Sequence, residues 1–225
     1  MSAARKTIFK NFTIVELLLV LAIMGILLAA SLAAFPAMFG KQGLVGSVRT
    51  LSSKVSMARS YAVTQNRNVA LLLPDKTANT SGAGTNIANY VYNYTRLCYV
   101  DSNNNFDGWI DGEEWYLFAN GVCAYIESPA AQAAPLPAPP AGGTYTVQRV
   151  TALPGGEFSS AVIFQNNGSL LNSGNVVIRV NSAFYDKNTT VLSFNVKGGT
   201  IEQKRWNIVI TPFTGKAKYL YGTQD

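Results

Sequence analysis

The sequence predicts an α+β fold: a long N-terminal helix with a membrane half and an amphipathic half, packed on an antiparallel β-sheet or sandwich. Three observations predict it. No residue from Leu17 to Phe35 is charged. Between Leu44 and Ala62, apolar residues recur at helical spacing. From Asn68 onward, short runs rich in Val, Ile, Tyr and Phe alternate with turn residues.

The apolar segment comes first. At ~1.5 Å per residue, ~20 residues span a bilayer, and residues 14–35 supply that length as the expected membrane half. A cleavable secretory signal has a shorter apolar core of ~7–15 residues. Arg5, Lys6 and Lys10 precede the segment, and without these three charges the net +6 falls to +3 (6 − 3). The basicity is therefore partly topogenic, and the positive-inside rule sends the rest of the chain across the membrane. Glu16 is the anomaly, since a carboxylate near a bilayer centre costs ~2.5 kcal/mol or more. It needs a partner.

The helix runs on after Gly40. Leu44, Val48, Leu51, Val55, Ala58 and Ala62 step by four and three along one face. Arg49, Ser53, Lys54, Ser56, Arg59 and Ser60 occupy the others. The helix is expected to end near residue 66, with a kink near Pro36 and Gly40.

Residues 68–74, 89–100, 115–119, 144–150, 160–165, 175–180, 190–196, 206–212 and 216–221 read as strands. Alternation at 144–150 suggests half-buried antiparallel pairing. Residues 166–168 (NNG) and 197–199 (KGG) are hairpin-type turns. The Pro/Ala segment 127–143 suits neither a helix nor a central strand and reads as a surface loop within one β-rich domain, 67–225.

The residues NFTIVELLLVLAIMGILLA (11–29) resemble the N-terminal signature of type IV pilins and type II secretion pseudopilins. Residues 57–74, 162–180 and 206–220 narrow the resemblance to the GspH/FimT family. It implies a leader, Met1–Asn11, removed by a prepilin peptidase between Asn11 and Phe12, and N-methylation of Phe12. The family usually has Gly where this chain has Asn11. It implies a bacterial inner-membrane protein with a periplasmic C-terminal domain, an inner-membrane assembly platform, and a filament of other pilins or pseudopilins. In that filament Glu16 pairs with the N-terminal amine of a neighbouring subunit. The implied role is a structural subunit; the other readings are a DNA-binding minor pilin and a plain membrane-anchored β-domain.

Enzyme classes find little support. The chain has no histidine, which removes the commonest general base and zinc ligand. Neither a G-x-S-x-G elbow nor a phosphate loop is present.

One stretch is chemically dense. Registered from Asn103, oxygen side chains fall at positions 1 (Asn103), 3 (Asn105), 5 (Asp107), 9 (Asp111) and 12 (Glu114) of a calcium loop. Gly108 takes the turn position, Trp109 offers its carbonyl, and Asp101 is an alternative ligand. The same residues suit a solvated acidic turn. Cys98 and Cys123 bracket the loop. An even cysteine count in the oxidising periplasm favours a Cys98–Cys123 disulfide over two buried thiols. Near the C-terminus Lys216 and Lys218 lie beside Tyr219 and Tyr221, and Lys204 and Arg205 precede them. Basic residues among aromatics suit DNA; two alternating lysines also suit a solvated strand face.

Overall fold

The computed structural model describes residues 13–75, 90–127, 147–154, 157–171, 174–186, 191–194 and 205–222, with only the helical backbone described for 29–41. The chain divides into two units, Met1–Lys41 and Gln42–Asp225. Helix α1 (Ile14–Thr64) passes through Pro36 and Gly40 and contributes to both.

In the first unit α1 is rich in Leu, Ala, Ile and Met, of which Leu, Ala and Met are strong helix formers. Its large apolar side chains are exposed, from 44% at Val20 to 79% at Ile14. Among the described residues no helix is long and apolar enough to cross a membrane, the described side chains of this half ending at Leu28.

In the second unit the helical spacing read from sequence is the buried face. Val48, Leu51, Val55, Ala58 and Ala62 all enter the main core, with Leu44 packed against it. The helix ends where Asn66 takes a left-handed φ of 51°. The Arg67 N–H then donates to the Ala62 carbonyl at 3.2 Å, closing a Schellman-type cap with Asn in the position usually held by Gly.

The strands are β1 (Asn68–Leu72), β2 (Tyr94–Val100), β3 (Phe106–Trp109), β4 (Tyr116–Leu117), β5 (Val122–Ile126), β6 (Gln148–Leu153), β7 (Glu157–Phe164), β8 (Val176–Asp186), β9 (Val191–Phe194), β10 (Trp206–Ile210) and β11 (Ala217–Tyr221). Among the described residues they form two sheets, paired antiparallel throughout. The first has the order β3-β2-β1-β7-β6, with β4 on β2; the second has β11-β10-β8-β5, with β9 on β8.

The main core joins the helix face to both sheets, through Leu71, Leu97, Val162 and Phe164 of the first and Ile178, Val180, Ile208 and Ile210 of the second. The first sheet is also covered on its other face. Ala70, Leu72, Cys98 and Ile163 lie there under Phe106, Trp109 and Trp115. Strands buried on both faces need not alternate in polarity, which explains why NVALL reads as a continuous apolar run.

The sequence-based strand boundaries shift in places. Residues 90–93 form a turn ahead of β2, and β8 runs on to Asp186. Two strands were not anticipated. β5 completes the second sheet beside β8, and β3 occupies the stretch read as a metal loop. The turn expected at 197–199 and most of the Pro/Ala segment lie outside the described residues.

Candidate functional site

The first turn of α1 is a reciprocal cap. Thr13 precedes the helix and Glu16 is its third residue. Glu16 Oε2 accepts the Thr13 backbone N–H at 3.0 Å and the Thr13 hydroxyl at 3.0 Å, while the Glu16 N–H donates to Thr13 Oγ1 at 3.3 Å. This is a capping box, which satisfies donors that a helix start leaves unpaired. Sequence reasoning missed it, although T-I-V-E is its signature. Glu16 therefore has a local role in the single chain, at a helix start whose partial positive charge also favours an acid. Asn11 and Phe12, the residues of the expected cleavage, lie outside the described residues.

The acidic stretch 101–114 folds back on β2, and several of its side chains have partners of their own. β3 pairs with β2 in register Cys98↔Trp109. Asp101 Oδ1 accepts the N–H groups of Asn103 and Asn105, both at 2.8 Å, and its Oδ2 accepts Asn105 Nδ2 at 2.9 Å. These bonds hold the Asp101 carboxyl below the usual range, the Asn105 side-chain bond being the largest cause. Asn105 Oδ1 accepts from Thr151 Oγ1 at 2.8 Å. Asp107 pairs with Arg67 at 2.6 Å, and Glu114 lies 3.7 Å from Arg96. The Arg96 guanidinium stacks over Trp109, 3.9 Å from the ring centroid.

A calcium loop would turn these oxygens toward one point. Here Asp107 is drawn to Arg67 and the Asn105 side chain to Thr151 and Asp101. For the expected set Asn103, Asn105, Asp107, Trp109, Asp111 and Glu114, no cluster of three His, Cys, Asp or Glu side chains suits a metal among the described residues.

The cysteines are also corrected. Cys98 and Cys123 are free buried thiols. Cys98 lies on β2, in the outer cluster of the first sheet. Cys123 lies on β5 of the second sheet, with Tyr92 and Ala183. Its thiol contacts Asn93 Oδ1 at 3.1 Å and the Ala183 carbonyl at 3.2 Å. Closeness to one loop in sequence does not bring the two into one cluster, because β2 and β5 belong to different sheets. Burial pushes the Cys123 pKa up to about 12 and raises that of Cys98 as well.

The sequence profile of the family described as Type II transport protein GspH matches residues 47–215, well over half of the 225-residue chain. The chain belongs to the GspH family. No curated protein matches it by sequence. Among solved structures it is similar to the type IV minor pilin FimU of Pseudomonas aeruginosa, at 11% identity over 81% of this chain and 90% of that one, TM-score 0.41. It is also similar to the minor pseudopilin EpsH of the Vibrio cholerae type II secretion system, at 8% identity over 82% of this chain and 97% of that one, TM-score 0.42. A second EpsH structure gives 7% identity over 81% and 99%, TM-score 0.44.

Among the described residues, the cations of this GspH-family chain do not form the single patch suggested by sequence. Lys216 and Lys218 are exposed on and beside β11, with Tyr219 and Tyr221 also exposed. Arg205 is buried at 1% exposure, out of reach of a phosphate backbone. Lys204 lies outside the described residues.

Two polar pairs, one part-buried and one buried, escaped sequence reasoning. Lys54 of α1 forms an ion pair with Glu113 of the hairpin, and Arg179 of β8 pairs with Glu127 after β5. Lys54 read as an ordinary charge on the outer helix face. Its partner is distant in sequence, so no local signal announced it.

Proposed function

We propose that this GspH-family chain is a structural minor pilin subunit, incorporated into a filament of pilins or pseudopilins through α1. The match over residues 47–215 carries the subunit role. The exposed apolar half of α1 supports the route, since such a surface is stable only in lipid or against other helices. In this reading residues 14–35 anchor the precursor in the inner membrane and residues 67–225 lie in the periplasm. The prepilin peptidase cuts between Asn11 and Phe12, Phe12 is methylated, and the assembly platform draws the helix into the bundle.

Glu16 is the residue assigned to assembly. In the lone chain its carboxylate closes the cap with Thr13. In a bundle it accepts the N-terminal amine of a neighbour as well, and a buried carboxylate with a cation and two further donors is satisfied. The subunit performs no chemistry in this account.

Intact-mass and N-terminal analysis after co-expression with a prepilin peptidase tests the reading. A product beginning at methylated Phe12 is expected. A chain still beginning at Met1 would leave a membrane-anchored β-domain.

A further inference from the structure

The second unit carries a groove of about 620 Å³ between α1 and the β10–β11 hairpin. Ser52, Ser56, Ser60 and Val63 form the helix wall, one continuous stripe at helical spacing. Lys216, Ala217 and Tyr219 form the opposite wall. Arg59 stands between them, its Nε donating to the Gly168 carbonyl at 3.3 Å. None of the lining residues is acidic, and two are cationic.

The strand wall is an open sheet edge. Among the described residues β11 pairs only with β10. The Thr211 N–H donates to the Lys216 carbonyl at 3.0 Å, and the Gly222 N–H to the Arg205 carbonyl at 2.9 Å. In an antiparallel ladder, hydrogen-bonded pairs alternate along the strand. With the register Val209↔Lys218 and Asn207↔Leu220, residues 216, 218, 220 and 222 turn their backbone groups toward β10. Ala217, Tyr219 and Tyr221 therefore turn theirs outward, and Ala217 and Tyr219 line the groove.

We propose that this groove binds an extended acidic segment of another polypeptide, which adds to β11 as a further strand and sets its carboxylates against Arg59 and Lys216. The outward edge offers N–H and C=O groups in alternation, the pattern a peptide backbone matches. A nucleic-acid backbone offers phosphate acceptors alone and leaves the outward carbonyls unmet. The charge of the groove selects acidic side chains. This goes beyond assembly through the helix and does not depend on processing at Phe12.

The test uses the full chain in detergent micelles. The probe is a ten-residue peptide alternating Glu and Val, compared with a Lys/Val counterpart and a ten-nucleotide oligothymidylate. The acidic peptide is expected to bind and to slow hydrogen exchange at the Ala217 and Tyr219 amides; the Lys peptide is not. Tyr219→Pro deletes an outward N–H while sparing the β10 pairing, so it tests the edge alone. It should weaken binding roughly tenfold, the loss expected for one hydrogen bond and its setting. Lys216→Glu, remote from the core, should weaken it by a comparable factor.

Absence of acidic-peptide binding at millimolar concentration overturns the proposal, as does equal binding of the Lys peptide. Full affinity in a folded Tyr219→Pro variant overturns the edge pairing. Oligothymidylate protecting the same amides better than the peptide reassigns the groove to nucleic acid.

Discussion

Glu16 and Thr13 hold each other across the first turn of α1, each contributing an acceptor to a backbone N–H of the other. A carboxylate with a local task is not thereby free of a second one, and the two tasks separate by mutation. Gln serves a capping box nearly as well as Glu but carries no charge for an amine. Glu16→Gln should keep the helix start and lose filament incorporation. Thr13→Ala should cost about 1 kcal/mol of helix stability and still incorporate. Amounts of each variant in sheared filament fractions decide this; normal incorporation of Glu16→Gln sinks the amine-pairing role.

The hairpin 101–114 should be indifferent to calcium. Asp101 is held by backbone N–H groups, Asp107 by Arg67 and Glu113 by Lys54. Millimolar calcium or excess chelator is expected to leave the melting temperature unchanged. A calcium-dependent rise of several degrees would show the loop able to reorganise around an ion.

The thiols give a chemical readout of the fold. Both cysteines are buried and their pKa values raised, Cys123 to about 12. A raised thiol pKa means stability that is fully present below the unfolded value of 9.0 and is lost only as pH climbs toward 12. Near pH 8 the thiolate is scarce in the folded chain, so iodoacetamide should label neither cysteine. Denaturant should expose both. Reductant should leave the melting temperature unchanged, and a reductant-sensitive transition would restore the disulfide.

Sequence showed the local and periodic features. The face Val48, Leu51, Val55, Ala58 and Ala62 was legible because burial follows helical spacing. β1, β7, β10 and β11 were legible from their Val- and Ile-rich or alternating composition. What failed was long-range. β3 was hidden because acids, asparagines and Gly108 outweighed Phe106 and Trp109 in a local reading, whereas pairing with Cys98–Val100 decides its conformation. The even cysteine count and the oxidising compartment favoured a Cys98–Cys123 disulfide, and the sheet order places the two thiols in different sheets. Arg205 looked like part of a basic patch until its burial was known. The capping box was local and readable, and was passed over because the amine of a neighbour already accounted for Glu16.

Arg179 and Glu127 should show coupled stability and pH behaviour. Both side chains are nearly inaccessible, at 9% and 5% exposure. Arg179→Met strands a carboxylate and should destabilise the domain by about 3–5 kcal/mol. Burial raises the Glu127 pKa above its ordinary 4.5, with Arg179 opposing. A raised acid pKa contributes stability below about 4.5 that disappears as pH rises through the folded value. Glu127→Gln does not titrate, so its melting temperature relative to wild type should improve between pH 4 and pH 7. A difference that stays flat, or falls, would mean the Arg179 attraction outweighs desolvation.

Gly215 sets the geometry of the groove, and a single methyl there should disturb both stability and shape. Its φ is +60°, a conformation that L side chains rarely adopt, and an added Cβ would meet the Gly168 carbonyl oxygen and, at 3.1 Å, Arg59 Cδ. Gly168 O is also the acceptor that holds Arg59. Gly215→Ala should therefore cost about 2 kcal/mol or more, with the Arg59 side chain displaced. Gly112 has a comparable φ of +76° but nothing within 4 Å of an added Cβ. Gly112→Ala should then show only the backbone cost, ~1 kcal/mol. Paired urea titrations measure the difference. Equal losses at the two sites would mean that the contact among Gly215, Gly168 and Arg59 contributes nothing beyond the turn itself.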